Sequence, residues 1–205
     1  FVFSVADATQ ATGVQYTLVD MTLQGGLGGL AAPSRTLTPN STEKLTIVPH
    51  CNKSNYWVIL HEKGNATFRV YLINDNGLVT TPASFTLGSA HPSGRGYLKP
   101  SPDGRRLAAA VPGFVEVFDF DDKTGAISNP RKREDPAFAG AYGVEFSPDG
   151  NLLYLSAGTT LHQLQTSSLA TVGTFSSSAE LGALQGGPDG RLYAARAGQE
   201  HLGVV

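Results

Sequence analysis

The turn sequence Ser-Pro-Asp-Gly occurs at Ser101–Gly104 and again at Ser147–Gly150, and it returns as Gly-Pro-Asp-Gly at Gly187–Gly190. Proline presets φ for the first central position of a type I turn, aspartate tolerates the second, and glycine accepts the positive φ that follows. Alternating apolar residues flank the turns, such as Val144 before the second copy and Leu152 after it. Each copy therefore predicts a β-hairpin. The residues assigned to this structural role are Pro102, Asp103, Gly104, Pro148, Asp149, Gly150, Pro188, Asp189 and Gly190.

The spacing of these turns predicts the architecture. The turn aspartates Asp103, Asp149 and Asp189 are separated by 46 and 40 residues, close to the period of a four-stranded propeller blade. A degenerate fourth copy spans 44–58, with His50–Lys53 in place of the turn. We therefore predict an all-β fold, a β-propeller of WD40-like or YVTN-like four-stranded antiparallel blades, forming a partial ring of about four to five blades.

We expect the whole chain to be one propeller region. Its predicted blades are 1–40 (partial), 43–90, 96–138, 141–178 and 181–205 (partial). In the first of these, the glycine-rich segment Gly25–Gly29 is interpreted as the turn between strands at Val14–Met21 and Arg35–Thr38. Because the strand count leaves an incomplete blade at each end, we expect a fragment of a larger propeller, completed by further blades or by self-association through open strand edges.

The second predicted blade also specifies which aromatic side chain faces the core. Tyr56 and Trp57 are neighbours on a predicted strand, so they must point to opposite faces of the sheet. We expect Trp57 to face inward, beside Val48 of the partner strand.

Composition argues against two classes of partner. The net charge is only −2, and the one dense basic cluster, Arg131–Arg133, is followed at once by two acidic residues. Such mixed charge is typical of a solvated loop or edge, so we expect no nucleic-acid partner. No apolar run approaches the length needed to span a bilayer, so we expect no membrane insertion. Because Cys51 is the only cysteine, an internal disulfide is excluded.

Four polar residues are candidates for a ligand-facing site. His61 and Glu62 follow an apolar strand, and with Asp20 and His91 they contain the groups needed for an acid–base or cation site on one propeller face. The alternative is that strand-end polar residues simply reach water, since no histidine or aspartate recurs at the corresponding position of successive blades. We therefore assign no catalytic, cofactor-binding or metal-ligating residue.

Two further motifs favour structural roles. Cys51 beside His50 has the composition of a nucleophile pair or half a metal site. Adjacent residues on a strand point to opposite faces, however, and we favour a small buried cysteine without chemistry. The segment Asp121–Gly125 lacks the ligand spacing of a calcium loop.

A set of segments resembles one known protein group. They include Tyr16–Met21, Tyr56–His61, Gly96–Gly104 and Tyr142–Gly150, and the likeness runs nearly end to end. The sequence resembles the propeller-like region of large Bacteroidetes cell-surface proteins, which often carry PKD domains and a gliding-motility-type sorting tail. The resemblance implies export by type IX secretion and a location outside the cell or on its surface. It supplies no established catalytic residues.

Two functions remain open. The first is a non-enzymatic surface or secreted module for adhesion or scaffolding, which binds a protein or glycan partner and needs no cofactor. The second is a lactonase-like propeller hydrolase that uses Ca²⁺ or another divalent cation in the central channel.

Overall fold

The computed structural model describes residues 1–5 and 13–205, and strands dominate this part of the chain. The strands before the first complete sheet are β1 (Val2–Val5), β2 (Val14–Thr17), β3 (Val19–Asp20), β4 (Gly29–Leu30) and β5 (Arg35–Thr38). The next are β6 (Leu45–Pro49), β7 (Tyr56–His61), β8 (Thr67–Asn74), β9 (Gly77–Leu78) and β10 (Ala83–Thr86). They are followed by β11 (Leu98–Pro100), β12 (Arg106–Val111), β13 (Phe114–Phe120) and β14 (Ile127–Glu134). The last are β15 (Ala141–Phe146), β16 (Leu152–Ala157), β17 (Thr160–Gln165), β18 (Thr171–Ser176), β19 (Leu181–Gly186), β20 (Leu192–Arg196) and β21 (Gly203–Val204).

In the described residues, β3 and β4 form a two-stranded sheet, and the other strands pair antiparallel into five larger sheets that follow one another along the chain. Their strand orders are β1-β2-β5, β6-β7-β8-β10, β11-β12-β13-β14, β15-β16-β17-β18 and β19-β20-β21. The first strands of the last four sheets contact one another in series, β6 with β11, β11 with β15 and β15 with β19. These four strands are therefore the inner strands, and the later strands of each sheet lie progressively farther out.

The core lies between the faces of neighbouring sheets. Val48 and Trp57 of the second sheet pack with Leu98 and Phe118 of the third, and a separate cluster joins the third and fourth sheets, including Phe138. The third sheet contributes apolar residues to both of these clusters, so it is buried on both faces, as a blade between two neighbours must be. Two short 3₁₀ helices, Leu23–Gly26 and Pro136–Phe138, are the helices in the described residues, and neither is long enough to cross a bilayer. The all-β propeller prediction is confirmed.

The orientation predicted for the aromatic pair is also confirmed. Trp57 is 8% exposed and lies opposite Val48 in the β6–β7 register, whereas Tyr56 is 42% exposed. The Trp57 indole N–H donates to the Asp122 carbonyl at 2.9 Å. The ring also covers Gly125, where an added Cβ would come within 3.0 Å of it.

The glycine-rich segment has more local structure than the sequence predicts, and the basic cluster lies on a strand. Gly25–Gly29 does not simply join β2 to β5, because it belongs to an inserted hairpin in which β3 pairs with β4. Strand β14 extends through the basic cluster 131–133, so of the two expected placements, a solvated loop or an edge, the cluster takes the edge. The cluster lies on the outermost strand of its sheet, where Arg133 donates to Asp135 at 2.7 Å.

Candidate functional site

The Ser-Pro-Asp-Gly turns join each inner strand to the next strand outward, and side-chain hydrogen bonds hold them rigid. In the third sheet, Ser101 Oγ donates to Asp103 Oδ1 at 2.5 Å, and the same oxygen accepts the Arg105 N–H at 3.1 Å. Gly104 closes the turn by donating to the Ser101 carbonyl, with φ of 70°. These bonds lower the pKa of Asp103, the Ser101 bond being the largest cause. The Asp103 carboxylate therefore stabilises the turn by accepting these hydrogen bonds.

The next two turns repeat this arrangement. Ser147 Oγ donates to Asp149 Oδ1 at 2.5 Å, and Gly150 has φ of 70°. In the last copy glycine replaces the serine, and Tyr193 donates its O–H to Asp189 Oδ2 at 2.8 Å instead. Gly190 there has φ of 77°. Each turn aspartate therefore accepts hydrogen bonds from its own turn or from the strand that follows it.

The second sheet builds the same turn from different residues. Lys53 N–H donates to the His50 carbonyl at 2.8 Å and takes the glycine position with φ of 61°. Asn52 Oδ1 replaces the aspartate and accepts the N–H groups of Ser54 and Asn55. A lysine in this left-handed conformation is strained relative to glycine.

Cys51 lies in that turn and is exposed, so our prediction of a buried cysteine is wrong. The turn residue at this position faces outward, as Pro102 does in the next sheet. The Cys51 Sγ is 3.6 Å from His50 Nδ1. The same Nδ1 accepts the Asn52 N–H at 3.0 Å, so it already serves the turn.

A row of polar side chains that the sequence patterns did not predict crosses three inner strands. Lys99, Glu145 and Gln185 each lie four residues before their turn aspartate. Lys99 Nζ is 2.6 Å from Gln185 Oε1 and 3.1 Å from Glu145 Oε2. We call these three residues the inner-strand row. Their shared distance from the turn aspartate, visible when the repeats are aligned on that residue, was the signal in the sequence that could have identified them.

Backbone groups also hold the acidic member of the row. Glu145 Oε1 accepts the Phe146 N–H at 3.1 Å, and Oε2 accepts the Gly186 N–H at 3.3 Å. The Lys99 and Glu145 side chains retain 15% and 12% exposure, and Gln185 is exposed. The row is therefore preorganised, yet solvent reaches it.

A cavity of about 620 Å³ opens beside the row, at the turn end of the inner strands. It is lined by corresponding segments of four consecutive sheets, and we call it the turn-face recess. Its lining residues are Val48, Pro49, His50, Lys53, Pro100, Ser101, Pro102, Asp103, Gly104, Asp122, Glu145, Phe146, Ser147, Pro148, Tyr154, Gln185, Gly186, Gly187, Gly190, Arg191, Leu192 and Val205. Concave sites with apolar walls and a few placed polar groups are typical ligand sites.

The predicted site around His61 and His91 has a different character. Their rings stack with centroids 3.5 Å apart, and both residues are 0% exposed. His91 Nε2 lies 3.3 Å from Glu116 Oε2, so the pair bridges the second and third sheets. The histidines are therefore inside the fold and do not face a ligand on a propeller surface, because both sheets close over them.

Burial sets the protonation of this cluster. Desolvation lowers the pKa of His61 and of His91 to about 3 each, so both are neutral at neutral pH. Desolvation also lowers the pKa of Lys44 to about 7, and its Nζ donates to the Arg95 carbonyl at 2.5 Å. Burial raises the pKa of Glu116. Together these groups form a polar contact inside the core in which both histidines are neutral.

The other two predicted site residues lie apart from each other. Glu62 follows His61, but its carboxylate accepts hydrogen bonds from Asn65 and Arg69, both at 2.7 Å. Asp20 lies in the β3–β4 hairpin and accepts from the N–H and O–H of Thr22. Within the described residues, no group of three or more His, Cys, Asp or Glu side chains is placed to hold a metal ion.

Among known proteins, the chain is similar to solved structures. No protein-family model matches the sequence, and no curated protein matches it. Solved structures do. The β-propeller domain of Cps50 (Swd1) from Myceliophteria thermophila has a TM-score of 0.62 and 14% identity, over 92% of this chain and 61% of that one.

Two further similar structures come from Bacteroides species, and each is named a "putative 6-phosphogluconolactonase". The Bacteroides uniformis protein has a TM-score of 0.66 and 17% identity, over 96% of this chain and 64% of that one. The Bacteroides fragilis protein has a TM-score of 0.64 and 17% identity, over 98% of this chain and 62% of that one. The chain thus spans less than two thirds of the length of each of these structures.

These similarities establish the class of the protein. Its described sheets, their serial inner-strand contacts and its structural neighbours are those of a β-propeller. At such low identity the likeness extends to the fold alone.

Proposed function

We propose that this propeller is a non-enzymatic binding module that holds a protein segment or a glycan in the turn-face recess. The observation that carries the proposal is the inner-strand row, where three consecutive sheets each place one polar side chain at the same register. A recognition surface requires such fixed, partly exposed groups, because little ordering entropy is then lost when a partner binds.

The state of Glu145 supports binding over cation-dependent catalysis. The Lys99 ammonium and two backbone N–H groups already engage its carboxylate. A divalent cation would have to displace Lys99 from Oε2, or bind at Oε1 against the repulsion of the neighbouring Lys99 ammonium. The buried histidines, with no exposed surface, are also closed to a substrate.

A broad ligand survey tests the proposal. We would screen the chain against a random peptide library and a glycan array, and compare it with Gln185→Arg, whose longer side chain fills part of the recess. Gln199→Arg, an exposed position that does not line the recess, is the matched control. We expect at least one ligand whose signal falls in Gln185→Arg alone. If no ligand separates the two variants, the recess is not a binding site.

The alternative function, a hydrolase dependent on a divalent cation, is tested by metal content and thermal shift. A tightly bound ion that binds only the folded state must raise its melting temperature. A stoichiometric ion in the purified protein, with a large Tm increase on adding Ca²⁺, Mg²⁺ or Zn²⁺, would replace the binding proposal by the hydrolase.

A location outside the cell or on its surface is a further part of the proposal, and it rests on the sequence resemblance described above. Surface biotinylation of intact source cells, followed by detection of this chain, provides the test. Labelling at the level of a cytosolic marker would contradict it.

A further inference from the structure

The charges around the turn-face recess cancel. Its lining contains two basic residues, Lys53 and Arg191, and three acidic ones, Asp103, Asp122 and Glu145. Lys99 supplies the third cation through its contact with Glu145. A site with balanced charges exerts no long-range attraction on either polyanions or polycations. This balance favours an uncharged ligand.

The inner-strand row has both donors and acceptors in reserve. An ammonium has three N–H donors, and Lys99 directs one to Glu145 and one to Gln185. Gln185 Nε2 uses one of its two N–H groups on the Gly186 carbonyl, at 3.2 Å. Each carboxylate oxygen of Glu145 has two acceptor sites, and Oε1 uses one on the Phe146 N–H. Hydroxyl groups, which both donate and accept, match this mixture.

Between these charged groups, part of the recess lining is apolar and rigid. Proline rings from two turns and two strand ends line it, and Leu192 and the ring of Tyr154 add further apolar surface. The proline residues are Pro49, Pro100, Pro102 and Pro148. Tyr154 is held in place by the Gln163 amide, which donates to its hydroxyl at 3.0 Å. Such walls suit the C–H faces of a sugar ring, and the cavity volume lies in the ordinary range for small ligands.

We infer that the turn-face recess binds an uncharged saccharide, with its C–H faces on the proline rings and its hydroxyls on Lys99, Glu145 and Gln185. This inference rests on the proposed binding function and narrows its ligand to one chemical class. It favours a glycan over a protein segment because the reserve of hydrogen-bonding groups is concentrated in one row.

The experiment uses a glycan array that carries neutral, sialylated, sulfated and uronic-acid oligosaccharides, followed by calorimetry on the neutral glycans that bind. We expect binding to neutral members. Gln185→Leu should weaken Kd about tenfold, the effect of losing one or two hydrogen bonds. Gln199→Leu should leave Kd unchanged. Because the ligand is uncharged, Kd should stay constant between about 50 and 500 mM NaCl.

Each contrary result has a distinct meaning. Binding only to anionic glycans, with a Kd that weakens as salt rises, would overturn the inference of an uncharged ligand. A peptide that loses binding in Gln185→Leu, with no neutral glycan bound, would overturn the saccharide class and leave the binding function standing. If no ligand of any kind depends on Gln185, both proposals fail. Circular dichroism and Tm of Gln185→Leu check that this exposed substitution leaves the fold intact.

Discussion

The imidazole rings of His61 and His91 lie face to face, with centroids 3.5 Å apart and planes 16° apart. Such close stacking disfavours protonation of both rings at once, because two imidazolium ions at this distance would repel each other strongly, and burial keeps both rings neutral at neutral pH. The stack joins the end of β7 to the loop between β10 and β11, and His91 continues the contact to Glu116 on β13. The pair is therefore a junction between two blades.

The first prediction is that this junction makes stability depend on pH. The pKa of each histidine is about 3 in the folded protein and about 6.5 when unfolded, so the unfolded chain binds more protons between these values. The stabilisation is complete above pH 6.5 and is lost as pH falls toward 3. Tm should therefore decrease as the pH is lowered from 8 to 4. The free energy of unfolding should fall over this range by an amount on the order of a few kcal/mol.

Two variants isolate the histidine contribution. Replacing both rings, as His61→Phe with His91→Phe, should flatten the Tm profile below pH 6.5. Replacing the exposed His201 by Gln should not. An unchanged profile in the double variant would assign the acid sensitivity to other groups. Glu116 acts in the opposite direction, because its raised pKa adds stability at low pH that is lost as pH rises.

The second prediction concerns Lys44, which is fully buried and has a pKa of about 7 against an ordinary 10.5. The unfolded chain holds this proton up to pH 10.5, whereas the folded protein releases it near pH 7. Stability should therefore increase as pH rises from 7 to about 9.5. Differential scanning calorimetry across this range should show the increase in the native chain and its absence in Lys44→Met. The exposed Lys123→Met is the control, and a rise that persists in Lys44→Met would exclude this lysine as the cause.

The third prediction compares two equivalent turn positions. Gly150 has φ of 70°, and an added Cβ there would meet only Pro102 Cδ, at 3.9 Å, so Gly150→Val should cost about 1–3 kcal/mol mainly through backbone strain. Lys53 has φ of 61° in the corresponding turn, so Lys53→Gly should be neutral or stabilising by up to about 1 kcal/mol. Urea denaturation measures both. Equal losses at the two positions would refute the equivalence of these turns.

The fourth prediction concerns the aromatic pair on β7. Trp57→Ala should destabilise the fold by about 3–5 kcal/mol, because the ring is buried and its indole N–H leaves the Asp122 carbonyl. Tyr56→Ala, at an exposed neighbouring position, should change stability by less than about 1 kcal/mol. Similar losses at both positions in thermal unfolding would remove β7 from the core.

Much of the fold could be predicted because proline, aspartate and glycine act locally. The turn at Ser147–Gly150 depends on its own four residues and on the strands next to it, so the sequence contains the whole cause. The β3–β4 hairpin was missed for the opposite reason. A glycine-rich segment permits many conformations, and contacts such as Met21 over Gly28 decide among them.

The candidate site was harder to predict because its members meet across sheets. Lys99, Glu145 and Gln185 are chemically different, so no single residue type repeats, and only their shared distance from the turn reveals the row. The stack of His61 on His91 depends on how a long loop packs over β7, and sequence spacing carries no information about that. Cys51 was placed wrongly because the local turn, and not its apolar character, sets its exposure.

The inner-strand row has an evolutionary consequence. Each of its members is contributed by a separate copy of one repeated hairpin, at a position that the turn fixes in space and the core does not use. Substitutions there can accumulate one copy at a time, each changing a single contact while the neighbouring hairpins keep theirs. Duplication of such a hairpin adds a new variable position to an existing surface. Under the proposed binding function, related chains could thus diverge in the ligand they bind while sharing nearly identical scaffolds.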